Sequence, residues 1–249
     1  MRFDVLTTFP EMFTLSRPGA LGFSIPARAA AAGLIEVVAT NIRDFAGNKH
    51  QKTDDRPFGG GPGMVMTCQP LWDALHAAEA RDGVSPPRPC VRVLMTPQGE
   101  PMRQEMVEEF ARVPRLVIIA GHYEGIDERV VEAISPREVS LGDYVLSGGE
   151  LGAMVLIDAV TRLIPGAVGD EQSPLEDSFS RNHAGRRLLD CPHYAKPREW
   201  MGRSVPDVLL SGDHGAIERW REEQRKRRTF LRRPDLLEDT EKRRDGGTA

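Results

Sequence analysis

The feature that most constrains this chain is an alternation. Short runs rich in Val, Ile and Leu at 2–9, 34–42, 90–96, 115–121 and 137–145 are separated by stretches with helical spacing. Those stretches are "SIPARAAAAG", "QPLWDALHAAEA", "PMRQEMVEEFA" and a segment from Ile126 to just before Pro136. Strands that are apolar along their whole length must be covered on both faces. Helices that follow each strand supply the cover, so the pattern predicts an α/β fold with a mostly parallel sheet and helices on both faces.

The last of these runs leads into "LGDYVLSGGELGAM", and a helix is expected from about Gly148 to Ile164, stopped by Pro165 and Gly166. Ser147 and Glu150 have capping-box spacing, with the hydroxyl capping the backbone and the carboxylate reaching back. The stretch "PGAVGDEQSPLEDSFSRNHAG" is rich in Gly, Ser, Asp and Pro and reads as a linker. A linker of about twenty residues is uncommon inside a compact domain unless it has a function. Beyond it, "DHGAIERWREEQRKRRTFL" is the clearest helix of what reads as a small all-α C-terminal domain. The expected division is therefore 1–165, a linker over 166–180, and a helical, basic domain over 181–249.

Charge follows this division. The net charge is −4, but from Arg181 onward there are 17 Lys+Arg against 12 Asp+Glu, which is +5 and leaves −9 for residues 1–180. The basic charge peaks in "RWREEQRKRRTFLRRP", where a solvated helix face and a site for a polyanion are both open readings. The three cysteines are scattered without Cys-x-x-Cys spacing, which argues against a disulfide framework and against structural zinc. The opening "MRFDVLTTFPEMF" lacks a basic region followed by a long apolar run, and "LGAMVLIDAVTRLIP" carries Asp158 and Arg162 and is too short to span a bilayer. A cytoplasmic protein without a membrane partner is expected.

In open α/β sheets, ligands bind beyond the carboxyl ends of the strands. Three expected strand ends carry Gly with polar or aromatic neighbours: "LMTPQG" (94–99), "IIAGHYEGIDER" (118–129) and "SLGDYVLSGGE" (140–150). A glycine loop, "DDRPFGGGPGM" (54–64), stands out as well. Singly, each glycine can be a turn residue, and Glu124, Asp127, Glu128 and Arg129 can be a helical first turn with local ion pairs. Their convergence points to a ligand site. No Lys or Arg lies within 94–99 or 140–150, and neither Gly-x-Gly-x-x-Gly nor a P-loop is present, so a triphosphate would find only backbone donors. Leu94, Met95, Leu141, Val145 and Leu146 suit an adenine ring or a thioether better than a phosphate chain, and Glu124 suits a positive charge; an adenosyl sulfonium fits that description. Arg162 and Asp177 taken singly read as a residue favouring a helix C-terminus and as an N-cap. His183, His193 and His214 have no metal-ligand spacing, and no metal-ligating residues are assigned.

These segments, with "TTFPEMF", "EDSF", "LLDCPHYAKP" and the "LRRP" ending, resemble the bacterial tRNA (guanine-N(1)-)-methyltransferase family, TrmD, of the SPOUT class. The likeness runs from residue 1 to about 238 in order and spacing. It implies a trefoil-knotted α/β domain, an obligate homodimer with active sites at the subunit interface, and S-adenosylmethionine held in the knot loops. By motif, the cofactor would be lined by Leu94, Met95, Thr96, Pro97, Gly121, Tyr123 and Gly125. Leu141, Gly142, Asp143, Tyr144, Val145, Leu146, Gly148 and Gly149 would complete the lining. Glu124, Arg162 and Asp177 match the family's catalytic residues. Asp54, Gly59 and Gly60 would help hold the target guanine, and the basic C-terminal domain, including Arg219, Arg225 and Arg228, would grip tRNA. The resemblance also implies a magnesium requirement, for which Glu124 is the acidic candidate. His122 stands where other members have Arg. The reaction implied is methylation of ring nitrogen 1 of the guanosine 3′ of the anticodon, position 37. The alternatives are a related SPOUT enzyme acting on ribose or ribosomal RNA, and a non-catalytic RNA-binding protein.

Overall fold

A computed structural model describes residues 1–15, 19–81, 89–169, 176–180 and 186–237. Most of 170–185 (with His183), 82–88 and the tail beyond 237 lie outside the described residues. The chain forms two compact units, Met1–Gly169 and Asp170–Ala249.

The first unit is built from β1 (Arg2–Thr7), α1 (Ser24–Ala31), β2 (Glu36–Asn41), β3 (Asp54–Asp55), β4 (Val65–Met66) and α2 (Cys68–Ala80). It continues with β5 (Val91–Pro101), α3 (Gln104–Phe110), β6 (Arg115–Ala120), α4 (Glu128–Ile134), β7 (Arg137–Ser140) and α5 (Glu150–Thr161). Five strands form one sheet in the order β2-β1-β6-β5-β7, and every pairing is parallel. β3 and β4 form a separate antiparallel hairpin.

Burial on both faces accounts for the uniformly apolar strands. All six residues of β6 are buried. Leu116, Ile118 and Ala120 join Phe3, Val5 and Val93 in a core with Ala29 of α1, Phe110 of α3 and Leu156 of α5. Val117 and Ile119 point the other way and join Leu6 and Leu94 in a core with Leu71 and Leu75 of α2 and Val130 and Ile134 of α4. The period-2 alternation along one strand thus feeds two cores.

β7 is shorter than the sequence predicts and ends at Ser140 rather than Val145. The Ser140 side chain takes over the backbone's role there: its Oγ accepts from Gly142 N (3.1 Å) and donates to Gly142 O (3.2 Å), while Gly142 adopts φ +152°. A local turn replaces the ladder and frees 141–149 to fold over the sheet end.

In the second unit, α6 (His214–Arg232) begins at Asp213, whose carboxylate accepts from Ala216 N at 2.9 Å. The unit is not purely helical, which corrects the all-α expectation. β8 (Glu199–Trp200) and β9 (Arg203–Ser204) pair antiparallel across Met201 and Gly202. Both turn residues have positive φ, +49° and +70°, the conformation that lets a two-residue turn match the twist of its strands.

Candidate active site

A cavity of about 330 Å³ opens at the carboxyl ends of β6, β5 and β7, the three strands at one side of the sheet. That volume lies within the range of small-molecule sites. Each strand contributes an irregularity that opens space. β5 breaks its ladder: Met95 and Glu100 both pair with Val139, so Thr96–Gly99 bulge outward from the sheet. The chain returns at Gly99, where a Cβ would collide with the backbone of Glu138 and Val139. After β6 the chain turns through Gly121 and then Tyr123, which holds φ +66°. Such a conformation in a bulky residue costs on the order of 1–3 kcal/mol and is typical of functional sites.

The third loop, 141–149, is tied to the second. Gly149 N donates to Gly121 O at 2.7 Å, and His122 and Gly148 form an isolated bridge. Gly149 is needed for this approach, since a Cβ there would lie 2.8 Å from Ala120 Cα. One turn into α5, Gly152 leaves room for Met95, whose Cε would be 3.0 Å from a Cβ at that position.

The expected capping box at the start of α5 does not form. The N-cap is Gly149, without a side-chain cap bond, and Glu150 turns inward, 3 % exposed, where it accepts from Thr7 Oγ1 at 2.8 Å. His122 Nδ1 lies 3.6 Å from Glu150 Oε2, beyond hydrogen-bond reach, and its ring packs edge-on to Phe9 and Tyr123.

Of the residues assigned to a cofactor from sequence, Leu94, Met95, Thr96, Pro97, Gly121, Tyr123 and Gly125 line the cavity. So do Leu141, Tyr144, Val145, Leu146, Gly148 and Gly149, whereas Gly142 and Asp143 lie outside the lining. Glu124 is on the wall. The sequence reading missed Val65, Gln98, Ile126, Glu128, Val131, Glu138, Val139 and Gly152, which also line it. Most of these sit inside regular elements, where only packing decides which side chains face the cavity; Pro97 and Gly99, which flank Gln98 and mark an interrupted strand, were the available signal for it.

The glycine loop is brought to Glu124. Glu124 N donates to Met64 O (3.0 Å), Met66 N to Gly125 O (2.9 Å) and Asp127 N to Met66 O (2.9 Å). Gly63, at φ +80°, lies directly under the Glu124 side chain, and a Cβ there would strike the carboxylate. Asp54 pairs with Met66 at the base of the hairpin, while Gly59 and Gly60 are exposed at its tip. Nearby, Asp127 caps α4 and accepts from Arg129 Nε (2.9 Å) and Nη2 (2.7 Å). The guanidinium holds the Asp127 carboxyl well below the usual carboxylate range. Those two residues are thus the local ion pair that sequence allows, and Glu124 stands apart from it.

The lining contains no Lys or Arg and three carboxylates, those of Glu124, Glu128 and Glu138. Such walls repel a phosphate chain and favour an apolar ligand carrying positive charge. Arg162 is half-buried at the C-cap of α5. Asp177 is an exposed residue of the second unit, where its carbonyl accepts from Ser180 Oγ at 2.6 Å.

In the second unit Arg219 is exposed and Arg228 half-buried. Arg225 is only 7 % exposed, and its guanidinium pairs with Glu218 (3.2 Å) and Asp190 (3.5 Å), which neutralises it within the unit. Among the described residues, the one trio of close metal-type ligands is Asp190, Cys191 and His193. His193 Nε2 lies 2.7 Å from Asp190 Oδ2, and the Arg225 charge beside them disfavours a cation. Among the described residues no helix is long and apolar enough to cross a membrane.

The family described as tRNA (Guanine-1)-methyltransferase TrmD matches residues 1–239. Curated relatives include the tRNA (guanine-N(1)-)-methyltransferases of Moorella thermoacetica and Chloroflexus aurantiacus. The first is 54% identical over 237 residues, covering 95% of this chain and 90% of the relative. The second is 52% identical over 237 residues, covering 95% and 88%. The enzyme of the same name from Rhodopirellula baltica is 48% identical over 243 residues, covering 97% and 96%. The chain therefore belongs to the TrmD family of tRNA (guanine-N(1)-)-methyltransferases.

Proposed function

We propose that this enzyme methylates ring nitrogen 1 of the guanosine immediately 3′ of the anticodon, position 37, in tRNA, using S-adenosylmethionine. The observation that carries the cofactor reading is the cavity wall: aliphatic side chains, closely approaching backbone and three carboxylates, with no Lys or Arg. Those residues fit an adenosyl sulfonium. Leu94, Met95, Leu141 and Leu146 would pack on the adenine and the carbons next to the sulfonium, and Glu124 would face the positive charge. When bound, the cofactor supplies an electrophilic methyl group.

The protein's own task is to prepare the nucleophile. Ring nitrogen 1 of guanine carries a proton, and its lone pair is delocalised until that proton leaves. Asp177 takes the proton as general base, and Arg162 stabilises the negative charge that spreads onto the exocyclic oxygen. The target base is drawn out of its stack, because its edge is otherwise inaccessible. Glu124, whose side chain lies against Gly63, would link the cavity to the glycine loop that holds the base.

A trefoil knot belongs to the same proposal, and within it the bond from Gly149 N to Gly121 O would hold 141–149 against 121–125. A homodimer with shared active sites is supported by apolar exposure beside the cavity. Val145 is 84 % exposed, and Leu151 and Val155 share one face of α5 and are about half exposed. The exposed cations of α6, Arg219 among them, would meet tRNA phosphates, and the enzyme would work in the cytoplasm. Magnesium fits less well: the cavity carboxylates form no close ligand group among the described residues, and no step is assigned to it.

The test is methyl transfer from labelled S-adenosylmethionine to a transcript with guanine 3′ of the anticodon, beside the same transcript with adenine there. Label on guanine alone, abolished by Asp177→Ala, is expected. Label on both transcripts, or nuclease-resistant 2′-O-methylation, would overturn the base assignment, and activity retained in Asp177→Ala would overturn the role of that residue.

A further inference from the structure

Phe58 is the most exposed large apolar side chain among the described residues, 97 % open to solvent. A lone exposed ring is ordinary on a protein surface, so what singles out Phe58 is where it stands. Its setting is specific. The hairpin is fixed at its root, where Asp54 pairs with Met66 and Asp55 with Val65, and Thr67 N donates to Thr53 O at 2.8 Å. The returning strand is bonded to the cavity wall at Glu124 and Gly125, and Val65 is part of that wall.

The tip is different. Gly59, Gly60 and Gly61 hold φ of +85°, +79° and +118°, and nothing lies within 4 Å of where their Cβ atoms would be. Those glycines serve backbone conformation and not close packing, and Phe58 stands exposed beside them. A rigid root at the cavity and an outward ring at the tip describe a device that meets a ligand larger than the cavity.

We propose that Phe58 is a stacking wedge for RNA: when the target guanosine leaves its stack, the phenyl ring packs against the neighbouring base that is uncovered. This rests on the reading of the chain as a methyltransferase of tRNA. A nucleobase is the occupant that fits. One ring matches one base face, and the exposed Arg56 two residues away suits a phosphate. A stable contact with a second copy needs on the order of 800 Å² per partner, and the three glycines beside the ring add no apolar side chain to reach it.

The experiment is a binding cycle on an anticodon stem-loop. Intact RNA, and RNA with an abasic residue on either side of the target guanosine in turn, are titrated against wild type, Phe58→Ala and Phe58→Trp. Phe58→Ala is expected to weaken binding of intact RNA about tenfold, within the range for loss of one stacked base, and Phe58→Trp to restore it. One abasic position should weaken wild type by a similar factor and leave Phe58→Ala unchanged. S-adenosylmethionine affinity should be the same in all three proteins, which reports an intact fold. Equal binding by Phe58→Ala, or equal abasic losses in wild type and mutant, would overturn the wedge. So would a Phe58→Ala protein whose defect is loss of the dimer in sedimentation, since the ring would then cover a second copy. A wild type that neither binds nor methylates tRNA would sink the function reading itself, and the wedge with it; a wild type that methylates while the cycle is additive sinks the wedge alone.

Discussion

Two Arg–Asp pairs sit at opposite ends of β6 and have the same closest approach, 2.7 Å. At the start of the strand, Arg115 Nε lies 2.7 Å from Asp4, and both side chains are 0 % exposed. Beyond its other end, Arg129 Nη2 lies 2.7 Å from Asp127, with exposures of 73 % and 23 %. The first pair is a fastener. Arg115 also donates to Ala78 O (2.7 Å) and Glu79 O (3.3 Å), so one guanidinium closes the C-terminus of α2 onto β1 and β6. Asp4 in turn accepts from Arg2 twice, at 2.9 Å. The second pair only caps a helix beside an open cavity. The same chemistry closes the sheet at one end and does no more than cap a helix beside the open cavity at the other.

The largest effect should come from breaking the buried pair. Arg115→Ala leaves Asp4 short of a partner and takes the side-chain donor away from two helix carbonyls, and removing one member of a buried pair costs about 3–5 kcal/mol. Urea unfolding should register a loss of that order; a loss below about 1 kcal/mol would mean that water reaches the site and the sheet end is not closed.

Gly149→Ala tests the open end. The new Cβ would meet Ala120 Cα at 2.8 Å and Gly121 N at 3.0 Å, both backbone atoms that cannot swing aside. We expect a stability loss of about 1–3 kcal/mol together with at least about a tenfold fall in S-adenosylmethionine affinity by calorimetry. A stability loss with affinity preserved would separate the tie between the two loops from cofactor binding.

Gly63→Ala should act more on rate than on fold. Its Cβ would strike a flexible, exposed side chain, Glu124, so the fold loses about 1 kcal/mol from the positive φ alone. The displaced carboxylate should lower kcat for tRNA methylation, and Glu124→Gln should lower it as well. If Gly63→Ala instead raised only the KM for tRNA, Glu124 would belong to substrate binding and not to the catalytic step.

These contrasts show where the sequence was readable. Every sheet strand and the helices between them follow from apolar runs of the right length, because burial on both faces leaves a plain signature in residues such as Leu116 to Ala120. The loops at the strand ends could be located from their glycines, since Gly149 and Gly99 mark close backbone approach. What failed depended on distant partners. Glu150 has capping-box spacing, but a hydroxyl 143 residues away, that of Thr7, draws it inward. Arg225 reads as one more cation of a basic helix, and only the fold reveals Asp190 beside it. The β3–β4 hairpin holds two residues per strand, too short for any pattern, and is fixed by bonds to 124–127.

The smallest effect belongs to the exposed pair, and pH shows why. Hydrogen bonds from the Arg129 side chain hold the Asp127 carboxyl below its ordinary range, against the opposing effect of burial. A carboxyl whose folded value is depressed contributes stability above the unfolded value of about 3.9, and loses it as pH falls through the folded value. At neutral pH that contribution is fully present, yet solvent screens it on the Arg129 side. Arg129→Ala should therefore leave the unfolding midpoint at pH 7 unmoved while the Asp127 carboxyl resonance titrates at higher pH, toward the ordinary range. Backbone N–H donation from Arg129 at 3.1 Å survives the substitution and keeps the cap of α4 in place. A midpoint that drops as far as in Arg115→Ala would mean that Arg129 is covered in the assembled enzyme, and that the open end of the sheet closes against a partner.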